Sequence, residues 1–121
     1  MKRAYAPYSD FRVGAALLTP SGKIFTGCNI ENSSYSLTVC AERTAIFKAI
    51  SEGHRRFTAI AIATERGEFI PPCGACRQII SEFGPGARLI LTGRNGAMRI
   101  LAASDLFPEP FTPGLLHKNK L

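Results

Sequence analysis

Several things are missing from this sequence, and each absence narrows what it can be. No apolar run approaches the roughly 20 residues a helix needs to cross a bilayer, so no membrane span is expected. No secretory leader opens the chain: Met1-Lys2-Arg3 runs into Ala4-Tyr5-Ala6-Pro7-Tyr8 instead of an apolar stretch, and the cytoplasm is the expected compartment. There is no internal repeat and no low-complexity segment. Basic residues outnumber acidic ones, 15 to 9, yet there is no long basic run. The densest clusters, His54-Arg55-Arg56 and His117-Lys118-Asn119-Lys120, are short and not interleaved with aromatics. A solvated basic surface is therefore expected, with no nucleic acid as partner. The only two histidines lie in those stretches and lack partners at ligand spacing.

What is present fits one soluble globular domain spanning residues 1–121, with 45% apolar and 20% charged residues. A chain of this size buries about two-thirds of the surface its unfolded form exposes, so it needs no disulfide staples. In a reducing compartment its four cysteines read as metal ligands, catalytic groups or core residues before they read as bridges.

Arg12 to Thr19 reads as a strand, Pro20-Ser21-Gly22 as a turn and Lys23 to Cys28 as a second strand, together a hairpin. Asn29 to Ser36 is a polar loop. From Cys40 to Glu52, Ala45, Ile46, Ala49 and Ile50 form one helical apolar stripe, with Gly53 as the stop. Phe57 to Ala63 is nearly all apolar and predicts a strand covered on both faces. A polar turn over 65–69 and Pro71-Pro72 introduce a second helix, Cys73 to Phe83, ended by Gly84-Pro85-Gly86. Arg88 to Thr92 is another buried strand, Met98 to Leu101 a short edge strand, and Ser104 to Phe107 the start of a short helix. The order ββαβαβ(β) predicts an α/β protein with a mixed sheet of about five strands and helices on its faces.

Chemistry concentrates in the cysteines. Cys73-Gly74-Ala75-Cys76 alone could bind zinc, form a redox pair or simply begin a helix. Cys40, opening the other helix with Glu42 two residues on, favours zinc. Two cysteines three apart in a first helical turn can aim at one point, and a third from a neighbouring helix start completes a three-sulfur face. Tetrahedral zinc then keeps one position for water. Helix N-termini favour the thiolates. Three thiolates around Zn²⁺ leave a net charge that opposes ionisation of bound water, and Arg43 is placed to offset it by donating to the sulfurs. Glu42 is the natural proton carrier. Cys28 could serve as the fourth ligand of a structural site, but it sits in an apolar strand pattern and reads as a core cysteine.

Cys40-Ala41-Glu42-Arg43-Thr44-Ala45 and Pro72-Cys73-Gly74-Ala75-Cys76-Arg77-Gln78 resemble the small, homotetrameric, zinc-dependent cytidine deaminases. Tyr5 to Ser9, Phe11 to Ala16, Gly27 to Asn32 and Leu106 to Phe111 extend the resemblance over nearly the whole chain. It implies a three-layer α/β/α sandwich, one zinc per subunit held by Cys40, Cys73 and Cys76, and a homotetramer with shared active sites. The implied reaction is hydrolytic deamination of cytidine and 2′-deoxycytidine by a zinc-activated hydroxide at C4, with Glu42 shuttling protons. Asn29 and Glu31 match ribose-hydroxyl binders, Phe11 an aromatic packed on the pyrimidine, and Ala41 a backbone contact to the base edge. Tyr35 matches a residue at the subunit junction near the sugar. Phe111 matches an aromatic placed over the pocket by a neighbouring subunit, and Gln78 a support of the zinc shell. Family members carry a helix of about three turns before the Ala-Tyr-Ala-Pro-Tyr-Ser stretch. Met1-Lys2-Arg3 stands there in this chain, so a shortened N-terminal helix is expected.

Three rival readings compete. A deaminase of another aminopyrimidine nucleoside, such as blasticidin S, would make poor use of Asn29 and Glu31, which suit a ribose diol. A polynucleotide deaminase would want a basic-aromatic surface. A non-catalytic zinc-stabilised interaction module would leave Glu42 and Asn29 incidental.

Overall fold

The computed structural model of the chain describes residues 1–67 and 69–108. Strands β1 (Val13–Leu18) and β2 (Ile24–Cys28) come first, followed by α1 (Ala41–Ser51), β3 (Ala59–Thr64), α2 (Gly74–Phe83), β4 (Arg88–Thr92) and β5 (Met98–Ala102). Single-turn 3-10 helices occupy Tyr35–Leu37, Arg94–Gly96 and Ala103–Leu106. The sheet is five-stranded, in the order β2-β1-β3-β4-β5. Among the described strands only β3 and β4 run parallel. They are the pair joined through a helix, as a parallel connection requires. The β1–β2 hairpin closes through Gly22 at φ +89, a left-handed conformation that glycine adopts without a Cβ clash.

Register sorts the side chains. Leu17 lies opposite Phe25 and Ile60, Ala15 opposite Gly27 and Ile62, and Ile60 and Ile62 opposite Leu89 and Leu91. All of these except the half-buried Gly27 are buried, and they share one face of the sheet. Ala41, Ala45, Ile46 and Ala49 of α1 and Ile80 of α2 pack into the same core, as do Phe57, Ala87 and Ala103. The approach is close: a Cβ on Gly27 would lie 2.5 Å from the Ala45 nitrogen and 2.7 Å from the Ala41 carbonyl oxygen. Glycine at 27 therefore lets α1 settle on the hairpin.

The mixed five-stranded α/β sheet is as expected. Of the three layers implied, the described residues form the sheet and one helical layer, since both helices pack into the same core. The other face carries Ala16, Leu18, Ile24, Ala59, Ala61, Ile90 and Ile100, with Ile24 and Ile100 more than half exposed. The strand expected to be covered on both faces is thus buried among these residues only through Ile60, Ile62 and Thr64, while Ala59, Ala61 and Ala63 are half-buried. It also starts at Ala59, later than expected. Met1 to Arg3 form a turn and no helix. His54, expected to be exposed, is half-buried with its ring 5.2 Å from that of Phe25.

Candidate metal centre and cleft

Cys40 and Cys73 are the N-cap residues of α1 and α2, and neither side chain caps its helix. A serine or aspartate there would turn back to the helix's own N–H groups; the two sulfurs instead project from the helix ends. They lie 3.6 Å apart, and Cys73 Sγ is 3.3 Å from Cys76 Sγ in the first turn of α2. All three sulfurs fall within 4.8 Å of one another. Tetrahedral zinc with bonds of about 2.3 Å sets its sulfur ligands about 3.8 Å apart, so the trio fits that ion on its own geometry. Among the described residues no fourth cysteine, histidine or carboxylate joins the cluster. Cys28 is half-buried on the sheet face away from α1, in register with Gly14, and takes no part.

The electrostatics of the trio are uneven. Cys40 accepts a hydrogen bond from Cys76 and another from Arg43 Nη2 at 3.6 Å, and these hold its thiol down at about 5. Cys76 is pushed up by the same bond to Cys40 and by burial. Arg43 Nη2 also donates to the Thr38 carbonyl at 3.2 Å, fixing the guanidinium beside the sulfur, while its buried Nε has no partner among the described residues. The bond to Cys40 raises the Arg43 pKa further. Glu42, in the first turn of α1, is 4% exposed, and burial raises its pKa above the ordinary carboxylate value.

Cys40, Glu42 and Cys73 border a cleft of about 230 Å³. Ser9, Phe11, Val13, Asn29, Glu31, Thr38, Ala41, Ile62, Ile70 and Pro71 complete its lining. The structure therefore brings Cys40, Cys73, Cys76, Ala41, Glu42, Phe11, Asn29 and Glu31 together. Phe11 is half-buried, with the Arg66 guanidinium 4.5 Å above its ring centre. Asn29 does more than face the cleft: its Oδ1 accepts from the Val13 N–H at 2.9 Å and its Nδ2 donates to the Phe11 carbonyl at 2.8 Å. Tyr35 stands outside, 75% exposed, in edge contact with Tyr8 at 6.1 Å and bordering a neighbouring hollow with Ser9 and Glu31. Gln78 is half-buried on α2, two residues past Cys76. Phe111 and His117 lie outside the described residues.

Two contributors escaped the sequence reading. Arg77 Nε donates to the Pro72 carbonyl at 2.8 Å and its Nη1 to the Leu106 carbonyl at 3.0 Å, tying the turn before Cys73 to the 3-10 helix at Ala103–Leu106. Ser9 bonds Glu31 across 22 residues of sequence. A local pattern signals neither.

Three sulfurs at two helix tips, with a buried carboxylate and a cleft beside them, form a centre that can hold zinc on a mixed α/β sheet. Residues 1–92 match the family model described as the cytidine and deoxycytidylate deaminase zinc-binding region. The cytidine deaminase of Sporosarcina psychrophila is 50% identical over 112 residues, covering 92% of this chain and 82% of that protein. That of Halalkalibacterium halodurans is also 50% identical, over 110 residues, covering 90% and 83%. The crystal structure of cytidine deaminase from Burkholderia pseudomallei superposes with a TM-score of 0.86 at 52% identity, covering 91% of this chain and 89% of that one. The enzyme from Mycobacterium tuberculosis gives 0.78 at 41% identity, covering 91% and 86%. The chain belongs to the cytidine deaminase family.

Proposed function

We propose that this protein is a zinc-dependent hydrolase that converts cytidine and 2′-deoxycytidine to the uridine nucleosides with release of ammonia. The observation that carries the reading is the buried Glu42 carboxylate in the same cleft as the thiol trio, facing a pocket whose lining includes Asn29 and Glu31. Cys40, Cys73 and Cys76 would hold one zinc ion. Zinc so held supplies Lewis acidity that makes a water nucleophilic near neutral pH.

The chain's own groups do the remaining work. Glu42 carries protons: it takes one from the attacking water and gives it to N3 of the base, which makes C4 electrophilic, then takes the one left on the C4 hydroxyl and gives it to the departing amine, which leaves as ammonia. Burial suits it to this task, because a carboxyl whose pKa is raised holds a proton longer and exchanges it less readily with solvent. Phe11 walls the pyrimidine, the Ala41 backbone meets the base edge, and Asn29 and Glu31 take the sugar hydroxyls. Arg43 offsets the negative charge of the thiolates, and Gln78 supports the zinc shell.

We further take residues 1–121 as one catalytic domain acting in the cytoplasm as a homotetramer. Tyr35 would sit at the subunit junction and Phe111 would close a neighbouring subunit's pocket. The apolar rim next to the cleft supports assembly: Tyr5, Tyr8, Ile30, Tyr35 and Leu37 are all exposed, each by more than 40%. Partners other than nucleosides and further copies of the chain are not expected.

Cytidine turnover tests the reading. Loss of cytidine absorbance with stoichiometric ammonia, abolished by a chelator and restored by zinc, is the expected result. Zinc-loaded protein that leaves cytidine intact would reject it.

A further inference from the structure

Glu31 is held by a segment far from it in sequence. Its Oε1 accepts the backbone N–H groups of Tyr8 at 2.9 Å and Ser9 at 3.2 Å. Its Oε2 accepts the Ser9 hydroxyl, and Ser9 Oγ in turn accepts the N–H of Phe11 at 3.1 Å. Between them Asp10 takes a left-handed backbone at φ 54, a conformation that tolerates Asp and turns the chain sharply. One hydroxyl thus links the Glu31 carboxylate to the backbone that carries Phe11, two residues that both line the cleft.

A carboxylate offers about four lone-pair directions. Three of these on Glu31 are taken, two by backbone donors and one by Ser9, which leaves a single acceptor direction on Oε2. We infer that Ser9 is a positioning residue, aiming that last acceptor of Glu31 at a sugar hydroxyl while fixing the backbone of Phe11. The inference deepens the nucleoside reading and rests on it. The shift of the Glu31 pKa agrees in direction: it is lowered, with the Ser9 hydroxyl as the largest cause.

A ligand pair isolates the effect. Uridine carries the ribose hydroxyls and 2′,3′-dideoxyuridine lacks both, while base and metal contacts are shared. Equilibrium dissociation constants for both ligands are measured on zinc-loaded wild type, Ser9→Ala and Ser9→Thr. Ser9 is exposed, so threonine keeps the hydroxyl with room for its methyl group. Ser9→Ala is expected to weaken uridine about 10-fold, the scale of a hydrogen bond to a charged group. Dideoxyuridine should move by less than about twofold, and Ser9→Thr should recover most of the uridine loss. Equal weakening of both ligands, no weakening of uridine, or a threonine variant no better than alanine would overturn the inference. Wild-type protein that binds neither ligand would instead overturn the nucleoside reading, and no variant is needed to see that.

Discussion

Gly27 is where the fold and the candidate site are most tightly coupled. An alanine Cβ there would meet backbone atoms of α1 at 2.5 and 2.7 Å, where ordinary contact begins near 3.4 Å. The shortfall at the Ala45 nitrogen is 3.4 − 2.5 = 0.9 Å. Backbone in a helix cannot rotate away as a side chain can, so α1 must move as a body. Overpacking of this kind costs about 1–3 kcal/mol, and a clash with rigid backbone belongs at the upper end. For a chain of this length about 2–3 kcal/mol lowers Tm by roughly 10 °C. A second consequence follows from Cys40 standing at the tip of α1: moving α1 off β2 shifts its sulfur relative to Cys73 and Cys76, whose spacing suits zinc now. Gly27→Ala should therefore lose stability and zinc affinity together. Urea unfolding of metal-free protein at matched concentration, with a zinc titration alongside, measures both. A stability change below about 0.5 kcal/mol with unaltered zinc affinity would refute the claim that the helix rests on this glycine.

Other consequences follow from the site. Glu42→Gln keeps the shape and the sulfur ligands but cannot carry protons, so kcat should fall about 10⁴-fold with zinc content unchanged; turnover within about tenfold of wild type would dismiss the proton-carrier role. Arg43→Ala removes the donor to Cys40 and should lower activity or zinc affinity about 10- to 100-fold. Steady-state rates at full zinc occupancy and a zinc titration check it, and wild-type values in both would show that Arg43 is idle. The bonds to Glu31 favour its ionised form and hold its pKa below the ordinary 4.5, so its contribution to stability is full above that value and fades as pH falls below it. Unfolding of wild type and Glu31→Gln should accordingly show a stability gap at pH 7 that narrows on acidification, and a gap constant with pH would contradict this.

Much of the architecture could be read from local pattern. The hairpin, both helices and the order of the later strands follow from turn residues, helical stripes and apolar runs. The run 57–63 was harder. Its composition suggested burial on both faces, yet from 59 to 63 it alternates Ala and Ile, and that alternation of small and large was the visible sign of one packed face. The zinc trio was legible because sulfur at two helix starts is rare and has few uses. The cleft's supporting bonds were not. Ser9 to Glu31, Asn29 to Phe11 and Val13, and Arg77 to Leu106 join residues 16 to 29 positions apart, and only the folded chain brings them together. Asn29 shows the difference most clearly: read as a ligand-facing amide, it also pins the backbone on which Phe11 is carried.

Metal content tests the central claim most directly. Elemental analysis of freshly purified, reduced protein should find about one zinc ion per chain, and Cys73→Ala, which removes one corner of the sulfur trio, should lose it. Wild-type protein free of zinc that also takes up none when it is offered, or a Cys73→Ala protein that binds the ion as tightly as wild type, would contradict the account.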